Sequence, residues 1–236
     1  MIIILSPSKT VDFETPAPTK KSTTPHFIKN ADILAKEMKK FSSKELAQMM
    51  KISENLANLN YDRFQNFEKL PQKQAIFAFN GDVYRDIDAE NYNEKEMKFA
   101  QKHLRTISGL YGMLKPLDLI RAYRLEMHHR SDYWKKLLPE HIKNEDLIIN
   151  LASNEYSKPL NLKSPKTNVL TPHFKTHKNG ELKTIAIYSK IARGTMANFI
   201  IKNQITDPAK LEQFSEDGWK FHSKTENEIT FARGVC

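Results

Sequence analysis

The chain opens on Ile2-Ile3-Ile4-Leu5, an unbroken apolar run too short for a helix, which reads as a buried strand. Ser42-x-x-Glu45 spells a capping box for a short helix, and Asn93 with Glu96 does the same for a longer one. In that longer helix Met97, Ala100, Leu104 and Ile107 recur at helical spacing, leaving Lys98, Lys102 and Arg105 nearer water. A further helix is predicted from about Ser53 to Phe67. Its inward stripe is Ile52, Leu56, Leu59 and Phe67, with Arg63 in the middle of it. A guanidinium there must pair with an acid or reach the protein edge, and a structural role is the plainer reading than a ligand contact.

After residue 145 the pattern turns strand-rich. Asp146 to Leu151 suits a buried strand, and Thr167 to Thr176 and Leu182 to Ser189 flank Lys178-Asn179-Gly180-Glu181. Asn-Gly is a strong hairpin signal because both residues tolerate positive φ. A helix from about Lys190 to Asn203, with Ile191, Met196, Phe199 and Ile200 inward, precedes a final strand from Glu228 to Arg233. Helices and strands interleave without a regular βαβ rhythm, so a mixed α/β (α+β) fold is expected. The only extended irregular stretch is Asp12 to Pro25, and no linker divides the chain, so residues 1–236 read as one domain.

Composition narrows the class. With 236 residues and 39% hydrophobic content the chain can bury a core without a disulfide or metal staple. The single cysteine, Cys236, excludes an intramolecular disulfide and points to a reducing compartment. Neither a signal peptide nor a membrane span is read, and a cytoplasmic monomer is expected. Net charge is +9, unevenly placed: residues 101–136 carry 8 Lys and Arg against 3 acids, and residues 157–203 carry 9 against 1. The remainder is net negative, an asymmetry that suits a polyanion footprint or, more plainly, two solvated faces.

Several candidate chemistries fall away on spacing. His173 and His177 lie about 13 Å apart along a strand, too far to share an ion, and His128-His129 point their rings apart, so no metal site and no cofactor are expected. Ser6-Pro7-Ser8-Lys9 matches the Ser-x-x-Lys spelling of some acyl-transfer enzymes but lacks the helix that should follow. The polar loop after the first strand still suits an anion, with Ser6, Lys9 and Thr10 at hand. The richest stretch is Leu104 to Asp118. Ser108-Gly109-Leu110-Tyr111-Gly112 followed by Lys115-Pro116 resembles a helix-hairpin-helix, whose exposed backbone amides bind phosphate, with Arg105, Lys115 and Arg121 around it. An ordinary glycine C-cap before a Pro-initiated helix fits the same spacing.

Six ordered runs resemble the YaaA family of peroxide-stress proteins across nearly the whole chain. They are Leu5 to Thr10, Phe79 to Tyr84, Ile107 to Gly112 with Lys115 to Asp118, Tyr123 to Met127, Asn150 to Ser153 with Glu155-Tyr156, and Ala192 to Gly194 with Phe199 to Ile201. The resemblance implies a single-domain cantaloupe-type fold with a positively charged cleft and a helix-hairpin-helix element. It also implies a cytoplasmic protein that limits peroxide- and iron-dependent damage and binds duplex and branched DNA without strong sequence preference. On that reading the hairpin falls on Ser108 to Pro116, and the cleft includes Lys9, Arg124, Lys190 and Arg193. The stretch after Met127 is shorter than in many members, with Trp134 as its remnant. The competing expectation is an enzyme acting on a nucleotide or nucleobase-like small molecule. Lys9, Asp82, Arg63, Tyr123, Arg124, Tyr188 and Arg193 are chemically too varied for a phosphate rail alone.

Overall fold

The computed structural model describes residues 1–162 and 167–234. The strands are β1 (Ile2–Leu5), β2 (Gln72–Gln74), β3 (Leu104–Ser108), β4 (Gly112–Leu114), β5 (Leu119–Arg121), β6 (Leu147–Leu151), β7 (Asn168–Lys178), β8 (Glu181–Lys183), β9 (Lys220–Lys224) and β10 (Glu228–Arg233). The helices are α1 (Ile28–Met38), α2 (Ser43–Met50), α3 (Glu54–Gln65), α4 (Ala75–Ala78), α5 (Glu94–His103), α6 (Ser131–Trp134), α7 (Leu138–Ile142), α8 (Asn154–Ser157) and α9 (Ala186–Lys202).

The main sheet runs β4-β3-β1-β6-β7-β10-β9, with β8 paired to β7, and β2 with β5 forms a small separate ladder. From β3 to β10 every neighbouring pair is parallel. Such a sheet is covered on both faces, which is why β1 carries no polar alternation and is buried at every position. Ile3 sits between Leu104 and Ile149, and its neighbours join one apolar cluster that reaches from α1 to β10. No helix among the described residues is long and apolar enough to cross a membrane. Cys236 lies outside the described residues.

Local signals are realised. Both capping boxes form, with Ser42 and Asn93 accepting from backbone N–H groups and Glu45 and Glu96 reaching back. The Asn179-Gly180 turn takes φ of 53° and 79° and joins Lys178 to Glu181 in register. β1, β6 and β10 stand where the pattern puts them.

Three expectations are corrected. The α5 periodicity does not continue through Leu104 and Ile107. The helix ends at His103, and Leu104 to Ser108 becomes a strand, because lateral pairing with β1 buries both residues and satisfies their backbone. The stretch from Leu182 to Ser189 is strand only as far as Lys183, and α9 already starts at Ala186. On α3 the buried face is Ala57, Asn60 and Phe64, whereas Leu56 and Leu59 are 41% and 44% exposed. The small Ala57 and the bulky Phe64 pack inward, which turns Leu56 and Leu59 toward the outside, while Phe67 beyond the helix stays buried as expected. Arg63 is half-buried there and its Nη1 donates to Asn60 Oδ1 at 3.4 Å.

Candidate functional site at the carboxyl edge of the sheet

In open parallel sheets a crevice opens at the carboxyl ends of two adjacent strands whose onward connections run to opposite sides. Here those strands are β1, which leads to β3, and β6, which leads to β7, and β3 flanks β1 on its other side. The three strands end in Leu5-Ser6, Ser108-Gly109 and Leu151-Ala152-Ser153. Ser6 Oγ accepts from the Ser153 backbone N–H at 2.9 Å and lies 3.4 Å from Ser153 Oγ, so the ends of β1 and β6 are tied together.

Beside these ends, Glu126 is the centre of a mixed-charge cluster. Its side chain is 4% exposed, and Oε1 accepts from Arg124 Nε and Nη2, each at 3.0 Å, and pairs with Lys9 Nζ at 3.4 Å. Burial pushes the carboxyl up, but Arg124 and Lys9 outweigh it and hold Glu126 below its ordinary value. Glu126 Oε2 and His129 Nε2 are buried 3.9 Å apart, neither with a hydrogen-bond partner. Desolvation and then His128 lower the His129 pKa, which favours the neutral ring. The His128 and His129 rings do not point apart as expected: they lie against each other with centroids 3.8 Å apart and planes tilted by 46°, and His128 Nδ1 lies 2.9 Å from Glu155 Oε1. The cluster therefore sets a buried carboxylate, an imidazole and an exposed ammonium near one another. Among the described residues no group of three or more His, Cys, Asp or Glu side chains is placed to hold a metal ion.

Several sequence candidates meet here. Lys9 and Arg124 share Glu126, Ser108 Oγ bonds Tyr123 OH at 2.6 Å beneath them, and Gly109 lies flat against the Leu125-Glu126 backbone. A Cβ on Gly109 would come within 2.2 Å of the Leu125 carbonyl oxygen, so only glycine allows that approach. Thr10 is exposed one step further on and its carbonyl accepts from Asn80 N–H, while Ser8 Oγ donates to the Asn80 carbonyl. Asp82 is exposed on the same loop, and Gly194 of α9 packs against the Val83 carbonyl. Lys190 is exposed and Arg193 half-buried on α9, whose Tyr188 stacks under the Arg233 guanidinium at 4.3 Å. Arg63, on α3, joins none of these groups and bonds Asn60 instead.

The hairpin expectation is corrected as well. Ser108 to Gly112 joins two antiparallel strands, not two helices, and all five residues are buried. The loop amides are consumed internally: Leu110 and Tyr111 N–H both donate to Ser108 Oγ, at 3.2 and 2.9 Å. Trp134 closes the loop from above, its Nε1 donating to the Gly109 carbonyl at 2.8 Å and its ring lying over Gly112. Tyr111 OH accepts from Arg121 N–H, and Arg121 Nη2 donates to the Glu68 carbonyl. Arg105 is committed to three carbonyls at the end of α5. Lys115, past the far end of β4, is the exposed cation of this set and stands away from the carboxyl edge.

Glu126, Ser153 and Glu155 lie inside runs that carry the family resemblance and His128-His129 is set aside above as a metal site, but none of the five is named there as a site residue. A signal for the first was present: in Tyr123-Arg-Leu-Glu-Met127 an arginine and a glutamate sit two apart inside an apolar run, the spacing that puts both on one face of an extended chain.

The family model for the peroxide stress protein YaaA matches residues 1–225. A UPF0246 protein of Teredinibacter turnerae is 43% identical over 242 residues, covering 94% of each chain. One from Aliivibrio fischeri is 41% identical over 240 residues, covering 94% of this chain and 93% of its own. Another, from Colwellia psychrerythraea, is 38% identical over 254 residues and 99% of each. With a match that spans the central sheet, the carboxyl-edge cluster and the buried hairpin alike, this chain belongs to the YaaA family of peroxide stress proteins.

Proposed function

We propose that this protein serves the peroxide-stress response by binding the DNA backbone through side-chain cations rather than through hairpin amides. The observation that carries this reading is the placement of unpaired charge at the β7–α9 end. In the 157–203 window Lys183 and Lys202 have carboxylate partners, whereas Lys158, Lys175, Lys178, Lys190 and Arg193 have none among the described residues. β7 pairs with β6 only from Asn168 to Leu170, so its distal half and the Asn-Gly turn extend well beyond that ladder. The cations do not line a single groove. Phe199 of α9 packs on Phe214, which packs on Phe174, so the alternating Lys175 belongs to the opposite face of the sheet. Lys178 beside the Asn-Gly turn and Lys190 near the start of α9 are exposed, and such side-chain cations can contact phosphates without reading base edges. Fluorescence anisotropy of a labelled duplex and a four-way junction at several salt concentrations tests this. Lys178→Glu with Lys190→Glu should weaken binding and reduce the salt slope by about two, while Lys115→Glu leaves both unchanged. No binding at low salt, or a slope that the double variant leaves intact, refutes the reading.

A second reading, an enzyme acting on a small nucleotide-like molecule at the carboxyl edge, is supported by the buried Glu126–His129 pair at the strand switch point. Stabilisation of the protein by such molecules, lost in His129→Ala, would favour it. Stabilisation by DNA alone would count against it.

A further inference from the structure

Along α5 the structure holds a groove of about 740 Å³ that neither reading uses, separate from the carboxyl edge. Its floor is apolar: Phe77 and Leu117 are buried and Met97 half-buried. Its two ends differ. At the start of α5 stand Glu90, an exposed carboxylate, and Asn93, whose Oδ1 caps the helix and whose amide N–H₂ has no partner among the described residues. At the other end Lys102 and Lys115 are exposed and have no carboxylate within 4.0 Å among the described residues. The lysines nearer the start of the helix, Lys21 and Lys98, are both tied to Glu94. Free positive charge in the groove is thus confined to the Lys102/Lys115 end.

We propose that this groove binds a purine nucleoside diphosphate, with the base on the Met97/Phe77/Leu117 floor and the phosphates between Lys102 and Lys115. The volume is that of a small-molecule site. From Asn93 to Lys102 is nine residues of helix, about 13 Å at 1.5 Å per residue, which matches the span from the base edge to the terminal phosphate of such a molecule. The Glu90 carboxylate accepts from a purine's amino or imino N–H, and the Asn93 amide donates to a ring nitrogen or carbonyl, so the polar groups at that end suit a base. The ammonium pair suits phosphate as a point-charge clamp. A fatty acid or a simple aliphatic anion would leave Glu90 and Asn93 unused.

Calorimetric titration with ADP and GDP, and with adenosine and inorganic phosphate as separate arms, tests the assignment on the full chain. At least one nucleotide should bind, with adenosine and phosphate each at least tenfold weaker. Lys102→Glu with Lys115→Glu should cut nucleotide affinity at least tenfold. Both positions are exposed, so the fold is retained. Met97→Trp, which fills the floor from a half-buried position, should abolish binding while leaving a melting transition intact. Absence of nucleotide binding at millimolar concentration, phosphate binding as tightly as ADP and GDP, or affinity indifferent to the double charge reversal overturns the proposal. Duplex DNA binding, measured alongside, should be unaffected by Met97→Trp; its loss there would place a nucleic acid, not a free nucleotide, in the groove and overturn it as well.

Discussion

Replacing Glu126 by Gln isolates the charge at the centre of the carboxyl-edge cluster. The amide keeps the shape and one acceptor oxygen, so Arg124 retains a hydrogen-bond partner but loses its counter-charge. Arg124 is 16% exposed and Glu126 4%, so this is a largely buried pair, whereas Lys9, at 59%, is well solvated and contributes little. Removing one partner of a buried pair costs about 3–5 kcal/mol. The amide oxygen and the partial exposure of Arg124 relieve part of that, so the expected loss is about 2 kcal/mol at pH 7. The pH dependence separates charge from packing. Burial raises the Glu126 carboxyl, Arg124 and Lys9 lower it further than burial raises it, and the folded pKa ends below the unfolded one. A depressed carboxyl contributes stability above its unfolded value, about 4.3, and loses it as pH falls through the folded value. Urea unfolding followed by tryptophan fluorescence, with Trp134 and Trp219 as reporters, should therefore show a gap between wild type and variant that is full at pH 7 and closes below about pH 4. A gap under about 0.5 kcal/mol at pH 7, or one of equal size at pH 3, would refute the ion-pair reasoning.

Two further predictions concern the neighbouring backbone. Gly109→Ala should destabilise the protein by about 1–3 kcal/mol, because the added carbon meets the Leu125 and Glu126 backbone rather than a side chain that can swing away. Gly180→Ala, with open space around it but φ of 79°, should cost only about 1 kcal/mol from conformation alone, and equal losses in chemical denaturation would refute the distinction. Ser108→Ala strands the Leu110 and Tyr111 N–H groups and the Tyr123 hydroxyl in a buried loop, so a loss of about 1–3 kcal/mol is expected. Thermal unfolding indistinguishable from wild type would mean that the loop amides find other partners.

Those features depend on contacts that sequence patterns register unevenly. Ile2 to Leu5, the Asn179-Gly180 turn and the two capping boxes were legible because each is specified by residues within a few positions of one another. Leu104 and Ile107 were misread because burial was the only thing their spacing recorded. A helix face and a strand between β1 and β4 bury them equally, and pairing with residues about a hundred positions away decided between the two. The carboxyl-edge cluster is harder still, since Lys9, Gly109 and Glu126 converge only once β1 and β3 lie side by side.

The same limit governs how charge is read along a chain. Residues 101–136 are net positive by count, yet the structure uses all four arginines of that window internally, Arg130 by donating to the His129 carbonyl and pairing with Glu37. Arg105 closes the carbonyl end of α5, Arg121 reaches the Glu68 carbonyl over the face of Phe67, and Arg124 neutralises Glu126. A guanidinium with several donors is well suited to such internal work, whereas an exposed lysine ammonium keeps its charge available. A window's net charge therefore overstates its attraction for phosphate by as many arginines as the fold has bound internally. On that argument a polyanion should be sought at the lysines of the β7–α9 end, and the first window contributes Lys136 together with Lys102 and Lys115, the last two facing the α5 groove rather than a helix-hairpin-helix.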